Sequence, residues 1–310
     1  MSAVLTIALP VFAVIAAGVF AGRARLFSLS ESDALNKFVF RFAMPCALFG
    51  LTAGASPPDA KDLAVGVSYG AGALTSLIFG YFLAQRLFNL TKQEAGAHAL
   101  SSTLGNAVFL GLPIALTIDG WARPFVSAML IEGTIIIAIL TALISPRKEG
   151  GHALERAVNF LIGPIKNPLI MGMILGFLYS AIGIPFAGPV KIFFDLLGRA
   201  AGPTALFSLG VFLATHQFPA FKSVAGRVSL IAFGKMALLP AVALTTAYFL
   251  GVSDPDYWGA LALFVAVPSG VGTFILASQY RVYTSESAAA ISFTTILSMV
   301  TISVVLAVFG

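Results

Sequence analysis

Charge is what this sequence has least of. Lysine, arginine, aspartate and glutamate together make up 10% of its 310 residues, and 58% are hydrophobic. A soluble domain carries about 25% charged residues, so a water-facing surface cannot be built here, and the chain reads as an all-α integral membrane protein. Cysteine is nearly absent. The single Cys46 excludes an intrachain disulfide and any cysteine-based metal cluster, and it is expected to pack as a small apolar residue. Paired carboxylates, nucleotide-binding loops, metal-ligand spacings and nucleophile motifs are also missing. No enzyme activity, no cofactor and no metal is therefore expected. The net charge of +5 does not indicate nucleic acid, because the basic residues lie in short loops between apolar segments, where they signal topology.

A helix needs roughly 20 apolar residues to span a bilayer. The apolar runs predict ten spans, at 3–22, 34–54, 63–87, 95–117, 123–144, 166–183, 190–214, 224–250, 257–279 and 285–309. No basic residue precedes the first run, Ala3 to Ala21, and Arg23 and Arg25 follow it. That is the reverse of a signal peptide, so it is read as a retained span. The odd-numbered loops hold eleven basic residues, among them Arg86, Lys92, Arg147, Lys148, Lys222 and Arg281, against Lys61, Arg123 and Lys191 in the even-numbered loops. This bias places the odd loops in the cytoplasm and both termini outside.

The chain also repeats itself. At an offset of 158 positions Pro10 meets Pro168, Gly18 meets Gly176, Arg41 meets Arg199, Pro45 meets Pro203 and Ala47-Leu48-Phe49 meets Ala205-Leu206-Phe207. At 163, Gly96-Ala97 meets Gly259-Ala260 and Gly105-Asn106 meets Pro268-Ser269. Five spans per repeat force the halves to enter the membrane from opposite sides. The expected organisation is a 5+5 inverted repeat, with one half at 1–145, a cytoplasmic linker at 146–165 bearing a short surface helix near 153–160, and the second half at 166–310.

Spans 4 and 9 are interrupted at repeat-matched positions, by Gly105-Asn106 in one and by Pro268-Ser269-Gly270-Val271-Gly272 in the other. Proline removes an N–H and glycine permits unusual backbone. Hydrocarbon cannot satisfy the freed peptide groups, so such breaks must be buried in protein or line a wet cavity, and paired breaks mark a transporter's binding site. Asn106 offers an amide that could hold a substrate carboxylate beside a half-helix N-terminus, or could mend the backbone. Glu132, inside span 5, is a candidate proton carrier or a partner for Lys235. Lys235 either attracts an anion or, by preference, snorkels to the cytoplasmic interface. Arg41 and Arg199 read as structural, through links to Asp195 or interface anchoring. His98 reads as a helix-interface histidine rather than a proton relay, and Ser101, Ser102 and Thr103 either face the cavity or bond back to helix carbonyls.

These segments carry a family resemblance. Leu35-Asn36-Lys37-Phe38-Val39-Phe40-Arg41-Phe42-Ala43-Met44-Pro45, Gly105-Asn106-Ala107-Val108-Phe109-Leu110-Gly111-Leu112-Pro113 and the stretch from Pro268 to Tyr280 resemble the second, fourth and ninth helices of the auxin efflux carrier family in its short bacterial form. The resemblance implies a fold related to bile-acid symporters and sodium/proton antiporters, with crossed broken helices 4 and 9. Helices 1, 2, 6 and 7 would form a scaffold, and helices 3–5 and 8–10 a mobile crossover bundle. It implies elevator-type transport of small organic carboxylates such as auxin or malonate, by a homodimer held in lipid. It assigns substrate contact to Asn106 and pocket-lining positions to Met44, Leu48 and Ile137. With the breaks, the expected binding residues are Asn106, Gly105, Met44, Leu48, Ile137, Pro268, Ser269, Gly270 and Val271. The chain lacks the long central loop of the plant carriers. A cation/proton antiporter of the same fold is the alternative, with Glu132 its only candidate acid; sparse intramembrane acids make sodium coupling the less favoured form. A membrane sensor is disfavoured by the lack of a soluble signalling domain.

Overall fold

The computed structural model describes residues 9–54, 59–144, 168–215 and 221–310. The predicted linker and its surface helix lie outside them. Among the described residues the chain is helical, and the sole β-type contact is an isolated antiparallel bridge between Gly105 and Ser269. The helices are α1 (Leu9–Arg23), α2 (Leu29–Ala53), α3 (Ala60–Phe88), α4 (Lys92–Thr103), α5 (107–115), α6 (122–144), α7 (Pro168–Ile182), α8 (Gly188–Thr215), α9 (221–249), α10 (Pro255–Ala266), α11 (Val271–Gln279) and α12 (Thr284–Phe309). Among the described residues six segments are long and apolar enough to cross a membrane, within α2, α3, α6, α8, α9 and α12.

Local chemistry sets the starts. Ser28, Asp59 and Thr91 each close a capping box with an acidic residue three positions on, Glu31, Asp62 and Glu94. The Ser28 box moves the start of α2 to Leu29, five residues ahead of the predicted 34, because the polar turn Ser30 to Asp33 is helical although it is not apolar. Four helices carry a π turn, at Val39–Ala43, Ala107–Gly111, Glu132–Ile136 and Gly234–Leu238. Such single wide turns recur at functional sites, and two of these hold the buried charges described below.

The packing falls into two groups. In one, α1 lies on α8 and α7 on α2, with α2 also against α8. In the other, α3 packs on α4, α6 and α9, and α12 on α9 and α10. The first group is held by helix approach at glycine, as expected where lipid supplies no hydrophobic drive between helices. A Cβ on Gly18 would sit 2.1 Å from the Phe207 carbonyl oxygen, and one on Gly176 would sit 2.6 Å from that of Phe49. The 158 offset relates Gly18 to Gly176 and Phe49 to Phe207. One contact is thus made twice, with the roles of the two halves exchanged.

The second group is stitched at helix starts by charge. Buried Asp62 on α3 accepts from Arg123 on α6 at 2.6 Å, from the Ser127 hydroxyl at 3.0 Å and from the Tyr257 hydroxyl on α10 at 3.3 Å. Nearby, the Lys61 ammonium donating to Asp254 at 3.0 Å holds that carboxyl below the usual carboxylate range. In the other half Arg227, at the start of α9, pairs with Glu286 at the start of α12, with the signs reversed. Arg123→Ala strands a buried carboxylate, and a cost of about 2–3 kcal/mol is expected, below the full buried-pair value because Arg123 is partly exposed. Thermal unfolding of the purified protein should show this loss, and Asp62→Asn combined with Arg123→Gln should lose less than Arg123→Ala alone.

Candidate functional site

The site is built where two helices stop short. The α4 helix ends at Thr103, and Leu104 continues as extended backbone (φ −66°, ψ 123°). The α10 helix ends at Ala266, and Val267 does the same (φ −66°, ψ 147°). These two stretches run antiparallel through the bundle. The Asn106 N–H donates to the Pro268 carbonyl at 2.8 Å, and the Gly270 N–H donates to the Leu104 carbonyl at 3.0 Å. Each break therefore satisfies part of the other. The fit requires glycine at position 270, where a Cβ would lie 2.6 Å from the Gly105 carbonyl oxygen.

Side chains take up much of the remaining backbone. Ser269 Oγ donates to the Ser101 carbonyl at 2.7 Å, and the Ser269 N–H donates to Thr294 Oγ1 at 3.0 Å. Ser76 Oγ donates to the Ser102 carbonyl at 2.9 Å, and Thr301 Oγ1 to that of Ala266 at 3.1 Å. All of this lies at depth, where an unpaired peptide group would cost several kcal/mol.

Two opposite charges flank the first break. Glu132, on its π turn in α6, accepts the Gly105 N–H at 3.2 Å and also takes the hydroxyl proton donor of Tyr69 on the same oxygen. Lys235, on the π turn of α9, donates to the Val265 carbonyl at 3.3 Å, at the negative end of α10. A carbon built on Gly105 would be 3.6 Å from both Glu132 Oε2 and Lys235 Nζ, so the two charges face one another across that glycine without a direct ion pair.

Two polar atoms here have no partner among the described residues. Asn106 is 2% exposed, and its Nδ2 donates to nothing; buried Thr103 Oγ1 is likewise unpaired. The backbone of Asn106, by contrast, is fully engaged, with its carbonyl accepting from Leu110 and Gly111 at 3.0 and 3.1 Å. The amide is thus not spent on mending the chain. The α5 helix starts at the next residue, where the first N–H groups have no intrahelical acceptor.

A family model described as membrane transport protein matches residues 3–306. The chain belongs to this family, that of the auxin efflux carriers. It is 25% identical over 289 residues to the uncharacterized transporter YfdV of Escherichia coli (strain K12), covering 92% of this chain and 90% of the relative. It is 25% identical over 280 residues to the putative malonate transporter of Rhizobium meliloti (strain 1021), covering 87% and 84%. It is 22% identical over 334 residues to probable auxin efflux carrier component 5a of Oryza sativa subsp. japonica, covering 89% and 88%. The protein is an integral membrane transporter.

Within this transporter Gly105, Asn106, Pro268, Ser269 and Gly270 meet at one point, and Val271 opens α11 beside them. Met44 and Leu48 are wholly buried on α2, and Ile137 is half-buried just past the Glu132 π turn. No hydrogen bond links these three to the break, so any role they have is one of shape. The expectation that Lys235 snorkels to the interface is overturned. It is 1% exposed, because the wide turn and the close packing of Gly234 against Ser76 and Ser102 aim it inward. Nor does Asp195 bind an arginine; it pairs with Lys191, one turn away, and Arg41 and Arg199 are exposed. Cys46 does not simply fill a core, being half-buried on a cleft wall. His98 is an interface residue, with Nδ1 3.0 Å from the Tyr283 hydroxyl and Nε2 unpaired among the described residues. Ser102 bonds back to the His98 carbonyl, and Ser101 meets Ser287. Sequence reasoning missed Tyr69, Ser76, Thr294 and Thr301. Tyr69 left one trace, a tyrosine amid small residues in a long apolar run, and a buried tyrosine hydroxyl normally finds a partner.

Proposed function

We propose that the transporter is a secondary carrier of small organic anions, carboxylates such as malonate or auxin-like acids, by efflux or exchange. The observation that carries this reading is the buried, unpaired Asn106 amide beside the start of α5, a donor pair suited to a carboxylate. The similarity to a protein named putative malonate transporter points the same way. The proposed architecture is ten spans in a 5+5 inverted repeat, with helices 1, 2, 6 and 7 as scaffold and the crossover bundle sliding against it as an elevator. The reciprocal Gly18–Phe207 and Gly176–Phe49 contacts support that repeat. Both termini would face outside a bacterial inner membrane, and two copies would pair in the lipid.

The competing cation/proton antiporter reading has Glu132 as its acid. One oxygen of that carboxylate is already engaged by Tyr69 and Gly105, and a resident ammonium stands across Gly105. An incoming cation would compete with Lys235, which favours the anion reading. Radiolabelled malonate should enter proteoliposomes of the wild type. Asn106→Ala removes a hydrogen bond to a charged ligand, worth about 1.5–3 kcal/mol, so apparent affinity should fall roughly 10- to 100-fold. Sodium or potassium exchange driven by a pH gradient, with no uptake across a panel of carboxylates, would establish the antiporter instead.

A further inference from the structure

Outside the crossover an open cleft of about 470 Å³ lies between α2, α8 and the end of α5. Its walls include Cys46, Phe194, Asp195, Arg199 and Pro113. Pro113 stands seven residues past Asn106 on the same segment, ~10 Å at 1.5 Å per residue. The cleft thus opens on the far end of the segment whose first turn forms the proposed carboxylate site, at Pro113, Leu116 and Thr117. Its other walls belong to the helices proposed as scaffold, and Gly202 on α8 closes on Pro113, where a Cβ would be 3.3 Å away.

Arg199 is the chemical oddity of this cleft. It lies eleven residues from the start and sixteen from the end of α8, ~17 and ~24 Å along the axis, inside a segment long and apolar enough to cross a membrane. A cation at that depth is costly and by default functional. Its side chain is exposed to the cleft, and no hydrogen bond or ion pair engages it among the described residues. The one carboxylate on the same walls, Asp195, is neutralised by Lys191. The remaining lining is mainly apolar, so a planar guanidinium stands among apolar neighbours with no protein partner for its donors among the described residues. That arrangement suits a bidentate carboxylate.

We infer that Arg199 forms an entry subsite, taking up a carboxylate in the cleft before the anion passes to Asn106, and that it favours dianions over monoanions. The inference rests on the organic-anion reading. It extends that reading by naming a second anion contact, on the opposite wall from the crossover.

Cys46 makes the subsite testable, because the chain's single thiol lies on the same walls. In detergent-solubilised protein, an anionic methanethiosulfonate should modify Cys46 faster than a cationic one of similar size. Arg199→Gln should lower that rate ratio about tenfold, and Arg199→Lys should retain most of it. Malonate should slow the modification, and its neutral isostere malonamide should not. In proteoliposomes Arg199→Gln should raise the KM for malonate about tenfold with kcat within twofold, and should affect a monocarboxylate probe such as acetate less.

An unchanged rate ratio together with an unchanged malonate KM in a folded Arg199→Gln protein overturns the subsite, while wild-type uptake leaves the carrier reading intact. Malonate protection of Cys46 that depends on Arg199, in a wild type that transports no carboxylate, supports the subsite and sinks the carrier. Should the Gln variant fail to fold, protection by malonate but not by malonamide in the wild type supports the subsite, and equal or absent protection overturns it.

Discussion

Gly270→Ala is expected to abolish transport. The added methyl would meet the Gly105 carbonyl oxygen at 2.6 Å and its carbon at 3.0 Å. Both are backbone atoms, so no side-chain rotation relieves the clash. The two extended stretches must separate, and the bonds from Asn106 to Pro268 and from Gly270 to Leu104 are lost with them. Each freed group then lies in an apolar interior, at several kcal/mol apiece. Malonate uptake in proteoliposomes should fall by about 100-fold or more, since a loss of ~2.7 kcal/mol in the transport step suffices for that. Gly272→Ala is the control. The same methyl two residues on finds Leu104 Cδ2 at 3.7 Å, an ordinary contact, and uptake should stay within a few-fold of wild type. Wild-type uptake by Gly270→Ala would falsify the crossing as the working site.

The second large effect concerns Glu132 and Lys235. Lys235→Met leaves a buried carboxylate without its facing cation, and Glu132→Gln leaves a buried ammonium without its anion. Stranding one charge of a buried pair costs about 3–5 kcal/mol. The charges here are separated by Gly105, so each single variant should lose roughly 2–3 kcal/mol. The double variant holds neither charge, and its thermal stability should lie closer to wild type than that of either single variant, with a coupling of about 2 kcal/mol. Transport should not recover alongside stability. Without the Lys235 ammonium the crossover loses the positive side chain that faces Gly105, and malonate uptake in the double variant should remain at least tenfold below wild type. Strictly additive stability losses would mean that the two charges do not sense each other across the break.

The crossing itself was foreseeable because proline and glycine act through the backbone. Pro268 cannot donate to a helix and Gly105 and Gly270 tolerate close approach, whatever surrounds them, so the breaks announce themselves in one dimension. The family match has the same root, since the motifs around Asn106 and Pro268 are contiguous in the chain. The paired glycine contacts of α1 on α8 and α7 on α2 were half-visible, as identities at one offset whose meaning appears only when Gly18 is seen against Phe207 and Gly176 against Phe49. Lys235 was misread for a definite reason. A lone lysine in an apolar run suggests a side chain that reaches for water, but the π turn at Gly234–Leu238 and the close packing of Gly234 hold that position inward, and no residue pattern marks a π turn in advance.

Composition and periodicity alone determined that this chain lives in a bilayer as packed helices, and that two of its segments stop in mid-course, because solvent preference and backbone freedom are properties of single residues and short runs. Which atoms meet at those stops was decided only by the tertiary structure. Tyr69 against Glu132, Lys235 against the end of α10, and Arg199 across a cleft from Pro113 are contacts between segments distant in the chain. At membrane depth every polar group must find a partner, and the identity of that partner is a matter of where whole helices lie.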